Sequence, residues 1–110
     1  MGLDGALVVL CTVPTAELAA ALARALVEAR LAACGNVVPG VRSIYRWEGK
    51  VEDEAEALLI LKTTRARFPA LRDELQKRHP SLVPEVLALP VEAGSGAYLA
   101  WLAAQVEPGR

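Results

Sequence analysis

A chain of 110 residues and 11.7 kDa has the length of a single domain, 1–110. Its 54% hydrophobic content suffices for a core without disulfide staples and excludes a disordered chain. Twelve Lys and Arg against 13 Asp and Glu leave a net charge of −1, without the basic excess that a nucleic-acid binder uses to displace counterions from phosphates.

Residues 6–11, Ala-Leu-Val-Val-Leu-Cys, read as a strand buried on both faces. Thr15 offers an N-cap, and from Ala16 the apolar period becomes helical. Leu18, Leu22, Ala25, Leu26 and Ala29 are expected on the inner face of that helix, which should end between Arg30 and Ala33. A long β-rich stretch follows Val37. With Glu48-Gly49 as a two-residue hairpin loop, Trp47 faces Lys50 and Arg46 faces Val51. Ser43, Tyr45 and Trp47 then share a face with Lys50, Glu52, Glu54 and Glu56, while Arg42 or Arg46 approaches Asp53 on the other. From Leu58 to Leu61 the second arm is fully apolar, as a central strand requires.

A second helix is expected after Thr64, its cap, with Pro69 in the first turn and Phe68, Leu71 and Leu75 as its core stripe. His79-Pro80 stops it, because the residue before a proline avoids helical angles. Residues 85–91 read as another strand, with Pro84 before it and Pro90 within it favouring a sheet edge. Gly94-Ser95-Gly96 leads into a last helix, capped by Ser95 and carrying Tyr98, Leu99, Trp101, Leu102 and Val106. The order is β-α-β-β-α-β with an appended helix, the α+β ferredoxin-like arrangement with one long hairpin. The polar end of that hairpin carries Tyr45 and Trp47, which a monomer covers poorly, so homo-oligomerisation is expected.

Cys11 and Cys34 are too few for a disulfide framework. No leader pattern opens the sequence and no apolar run reaches the length of a membrane span, so the expected location is cytoplasmic, with no membrane partner. Enzyme motifs are weak. Lys62-Thr63-Thr64 lacks the upstream glycines of a phosphate loop, and a cysteine nucleophile would depend on His79, the one histidine. No catalytic residue is assigned. Cys11, His79 and Glu85, each near an element end, form a candidate metal set whose thiolate and imidazole suit copper or zinc. On spacing alone, a buried thiol, a helix-terminal imidazole and a surface carboxylate remain the stronger reading. Trp47, Lys62, Glu85 and Tyr98 form a candidate cleft at a subunit seam.

The chain carries Thr-Val-Pro at 12–14, Leu-Ala-Ala-Cys-x-Asn at 31–36 and Val-Pro-Gly-x-x-Ser-Ile-Tyr-x-Trp-x-Gly at 38–49. The series continues through Leu-Lys-Thr-Thr at 61–64, His-Pro-x-x-x-Pro-Glu at 79–85, Leu-Pro at 89–90 and Tyr-Leu-x-Trp at 98–101. In this collinear set the sequence resembles the CutA divalent-ion tolerance proteins. The resemblance implies a cytoplasmic homotrimer with interlocking hairpins, an architecture similar to the PII signalling proteins, and divalent metal ions, copper above all, as ligands. It implies no enzymatic reaction. Copper ligands of some members correspond to Cys11 and His79. A further histidine that can precede His79 is Arg78 here, a cation that weakens a soft metal site. Ser81 replaces a common tyrosine and Gly35 a usual aliphatic. The competing reading is a PII-like signalling or scaffold module that binds a small ligand or a protein at the subunit interface.

Overall fold

The computed structural model describes residues 5–107. The elements run β1 (Ala6–Val13), α1 (Ala16–Glu28), β2 (Cys34–Trp47), β3 (Lys50–Thr64), α2 (Phe68–Arg78), β4 (Leu87–Pro90) and α3 (Gly96–Gln105). The four strands form one antiparallel sheet in the order β2-β3-β1-β4, the arrangement expected from the sequence. One core lies between this sheet and α1 and α2. Val9, Cys11 and Val13 of β1 and Ala57, Leu59 and Leu61 of β3 meet Leu22, Leu26, Leu71 and Leu75 there.

Thr15 caps α1 as its residue type dictates, its Oγ1 accepting the Leu18 N–H at 3.1 Å. The buried face of α1 is Ala19, Leu22, Ala23 and Leu26, so Ala25 and Ala29 lie further round than the sequence period placed them. The reason is the close seating of α1 on β2. A Cβ on Gly35 would stand 2.7 Å from the Cβ of Ala23, so small residues are needed on both sides of the contact. That approach accounts for glycine at 35. Arg30, at φ 59, turns the chain out of the helix and donates through Nη1 to the Gln105 carbonyl at 2.9 Å, fastening the end of α3.

Thr64 does not cap α2. It is still the last residue of β3, and its carbonyl accepts the Arg67 N–H at 3.1 Å, forming a turn before the helix opens with Pro69 in its first turn. Helix α2 ends at His79, whose extended backbone (φ −78, ψ 138) matches the restriction imposed by Pro80. The β4 strand is shorter than the expected 85–91, and Glu85 and Val86 precede its ladder. Ser95 caps α3 by accepting the Tyr98 N–H at 3.3 Å. Leu99, Leu102 and Val106 of this last segment pack on Ala6 and Ala33, forming a second small core.

The hairpin turn at Glu48 (φ 50) and Gly49 (φ 80) has the left-handed pair of angles that two-residue loops use. Trp47 pairs with Lys50 and Arg46 with Val51, as the loop predicts. A bulge between Val38 and Val41, with Gly40 at φ 75, then inserts one extra residue on the β2 side. Beyond the core this ribbon is held by cross-strand pairs. Arg42 donates from Nε and Nη2 to both Asp53 oxygens, at 2.9 and 2.7 Å, and the Tyr45 hydroxyl donates to Glu54 Oε1 at 2.5 Å. The ribbon draws the molecule out to 44 × 26 × 22 Å.

Candidate functional site

Two polar clusters occupy different parts of the chain. The first lies at the base of the ribbon, where α2 ends. Pro80 turns the chain so that the Ser81 N–H reaches His79 Nδ1 at 3.0 Å. An accepting Nδ1 leaves the proton on Nε2, which donates to the Thr12 carbonyl at 2.8 Å. Both ring nitrogens are thus occupied, and the ring clips the end of α2 to the end of β1.

His79 borders a cavity of about 640 Å³. Glu56 and Glu85 supply carboxylates to it, Tyr45 and Trp47 an aromatic wall, and Leu82 and Val83 an apolar rim. Leu82 and Val83 are strongly exposed, unusual for adjacent large aliphatics. Tyr45 keeps its proton well beyond neutrality, because its hydrogen bond to Glu54 pushes the phenol up to about 12.

Cys11 is fully buried in the core and does not line this cavity. Burial pushes its thiol up to about 12, and the charges of Glu85 and then Glu56 add to the effect. The residues expected as metal ligands are therefore neighbours of unequal availability: a carboxylate in the open, an imidazole with both nitrogens engaged, and a thiol held protonated under the sheet. Among the described residues, no group of three His, Cys, Asp or Glu side chains stands ready to hold an ion. These residues do not form a prebuilt soft-metal centre.

The second cluster lies where β2 begins. Cys34 is paired with Lys62 across the ladder. Lys62 Nζ donates to the side-chain oxygen Oδ1 of Asn36 and lies 3.9 Å from Cys34 Sγ, while the thiol points to the same Oδ1 at 3.6 Å. The Tyr98 phenol is raised by burial and by the Cys34 sulfur beside it. Of the four expected cleft residues, Trp47 and Glu85 thus belong to the ribbon cavity, and Lys62 and Tyr98 to the Cys34 cluster. A single chain does not bring all four together.

Thr12, Glu56 and Asn36 also belong to these sites without being proposed for them from the sequence, and Tyr45 is expected there only as an exposed ribbon aromatic. Tyr45 and Glu56 were legible as neighbours on one face of the hairpin. Asn36 was hidden by the bulge, since the register carried down from the turn sets Cys34 opposite Thr63 rather than Lys62.

The family model described as CutA1 divalent ion tolerance protein matches residues 7–105. The chain belongs to this family. It is 54% identical over 95 residues to the divalent-cation tolerance protein CutA of Thermus thermophilus, an alignment covering 86% of this chain and 92% of the relative. It is 47% identical over 96 residues to the chloroplastic protein CutA of Arabidopsis thaliana, with 87% of this chain covered but only 53% of that relative. The chain thus spans about half the length of this plant relative. Among solved structures, CutA1 from Oryza sativa superposes with a TM-score of 0.93 at 41% identity, covering 99% of this chain and 100% of that one. The collinear motifs and the ferredoxin-like fold read from the sequence are those of this CutA family.

Proposed function

We propose that the chain works as a cytoplasmic homotrimer that binds divalent cations, copper-type ions among them, as a binding protein without a reaction of its own. The observation that carries this reading is the ribbon cavity, where the Glu56 and Glu85 carboxylates and the His79 ring line one space. Carboxylate and imidazole donors suit divalent ions, and the family description supports cation tolerance as the setting. The ion is the ligand handled, not a resident cofactor. Its first hold is on the carboxylates, Glu85 exposed and Glu56 half-buried. His79 joins once Nδ1 gives up the Ser81 N–H, and Cys11 joins only on losing its proton. Uptake involving Cys11 therefore releases a proton and tightens as pH rises. Two unpaired cysteines fit a reducing compartment, and the exposed Ile44 and Val51 of the ribbon support assembly.

Isothermal titration with Zn(II) and Cu(II), and with Cu(I) under reducing conditions, tests the site. Glu85→Gln and His79→Ala should weaken binding, and Cys11→Ala should weaken Cu(I) most. If all three variants bind as tightly as the parent, the assignment of Cys11, His79 and Glu85 is wrong.

A second reading, the PII-like signalling or scaffold module, is favoured by the cavity's size and aromatic wall. A volume of about 640 Å³ falls within the range of small-molecule sites. It requires that metals bind weakly and that an organic ligand raise the melting temperature of the parent but not of Trp47→Ala.

A further inference from the structure

The two cysteines sit on opposite faces of the sheet and in opposite chemical settings. Cys11 is fully buried in the core against α1 and α2, where an organic electrophile does not reach it in the folded chain. Cys34 is only half-buried, at the first position of β2. The bulge at Gly40 has shifted the ladder by one residue, setting Lys62 directly across from it on the same face. Three side chains with separate roles surround its sulfur. Lys62 Nζ lies 3.9 Å from Sγ, Asn36 Oδ1 draws both the thiol and the ammonium towards itself, and Tyr98 adds a phenol beside the sulfur. The phenol's raised titration keeps it a hydroxyl donor at neutral pH.

We propose that Cys34 is the reactive thiol of this chain, a modification site for small electrophiles bearing a conjugated carbonyl, with Lys62 and Tyr98 holding the oxygen that becomes anionic. The Cys34 sulfur adds to the β-carbon of the electrophile and a carbon–sulfur bond forms. The alkene electron pair moves through the carbonyl to give an enolate, whose oxygen faces the Lys62 ammonium and the Tyr98 hydroxyl. The thiol proton ends on the α-carbon, so no oxidant, reductant or further reactant is consumed. The ammonium assists twice, stabilising charge first on sulfur and then on the enolate oxygen. This site is separate from the ribbon cavity and stands whether or not that cavity takes a metal.

The test is alkylation of the native protein at neutral pH with limiting N-ethylmaleimide, followed by peptide mapping. Cys34 should carry the adduct while Cys11 remains free. Lys62→Met should slow the reaction roughly three- to tenfold, because it removes the ammonium that lies 3.9 Å from the sulfur and would face the enolate oxygen. Lys62→Arg should restore most of the rate. A far-UV spectrum confirms that each variant is folded. Independently of any variant, Cys34 in the native parent should react faster than the same residue in the urea-unfolded chain. The proposal is overturned if Cys11 labels as fast as Cys34, if Cys34 is silent, or if native Cys34 reacts no faster than the unfolded residue. It is equally overturned if folded Lys62→Met keeps the parent rate.

Discussion

At its base the β2–β3 hairpin turns Ala57, Leu59, Leu61 and Thr63 into the core, each almost wholly buried. Beyond Glu56 the same two strands leave Ile44 and Val51 exposed at 65% and 64% of their surface. The backbone ladder is continuous apart from one bulge, so hydrogen bonding does not distinguish the two ends. Burial does. The base is stabilised by apolar surface removed from water. The tip relies on the Arg42–Asp53 ion pair and the Tyr45–Glu54 hydrogen bond, and exposed pairs of this kind contribute little. A two-stranded ribbon is marginal in water. One end of the hairpin therefore makes the fold, and the other leaves apolar side chains exposed that the proposed assembly would cover.

The largest expected effect is at the base. Leu59→Ala should lower the free energy of urea unfolding by about 2–5 kcal/mol, the loss seen when a buried leucine leaves a cavity. Ile44→Ser at the tip should leave the far-UV spectrum unchanged and act instead on the mass of the assembly. If Ile44→Ser unfolds the chain as Leu59→Ala does, the contrast between the two ends fails.

The seam between α1 and β2 sharpens the same contrast. Gly35→Ala should shift the urea midpoint by the equivalent of about 1–3 kcal/mol, because the new methyl meets Ala23 on a helix that must move as a body. Adding Ala23→Gly should recover part of the loss, and full additivity of the two changes would contradict direct contact.

A smaller effect depends on pH. The Cys11 thiol is raised from 9.0 to about 12, so the folded chain holds its proton where the unfolded chain has lost it. Its contribution to stability is complete below pH 9 and is lost as pH climbs towards 12, with a slope of at most about 1.4 kcal/mol per pH unit. Urea midpoints of Cys11→Ala should accordingly fall less between neutral and alkaline pH than those of the parent.

The smallest change is expected from Arg42→Ala. The Arg42 guanidinium holds the Asp53 carboxyl below its ordinary range, so the pair stabilises above that range and its contribution disappears as pH falls through the lowered value. The urea midpoint at neutral pH should move less than for any substitution above. A shift as large as that of Gly35→Ala would mean that the tip supports the fold after all.

Much of this contrast is legible in the sequence, because it is written in local chemistry. Glu48-Gly49 sets the turn, the turn sets the register of the tip, and the change from Glu52-Asp53-Glu54 to Leu58-Leu59-Ile60 marks where the core begins. Thr15, Ser95 and His79-Pro80 mark helix ends by side-chain or backbone chemistry alone. Features that depend on tertiary contact were not legible. The inner face of α1 is decided by the close approach of Ala23 and Gly35, and the end of β3 by its ladder with β1, which keeps Thr64 in the strand. The bulge at Gly40 is the most consequential of these. It reverses which β3 side chains share a face with Cys34, and so decides the composition of the second cluster. The engagement of both His79 nitrogens likewise depends on a turn at Ser81 and a carbonyl 67 residues earlier in the chain.

The exposed end of the hairpin is proposed as the assembly element of a working unit of three chains. Sedimentation equilibrium of the parent at micromolar concentration tests it most directly. The account requires a mass of three chains of 11.7 kDa, falling towards a single chain in Ile44→Ser. A parent that sediments as a stable folded monomer at that concentration would contradict it.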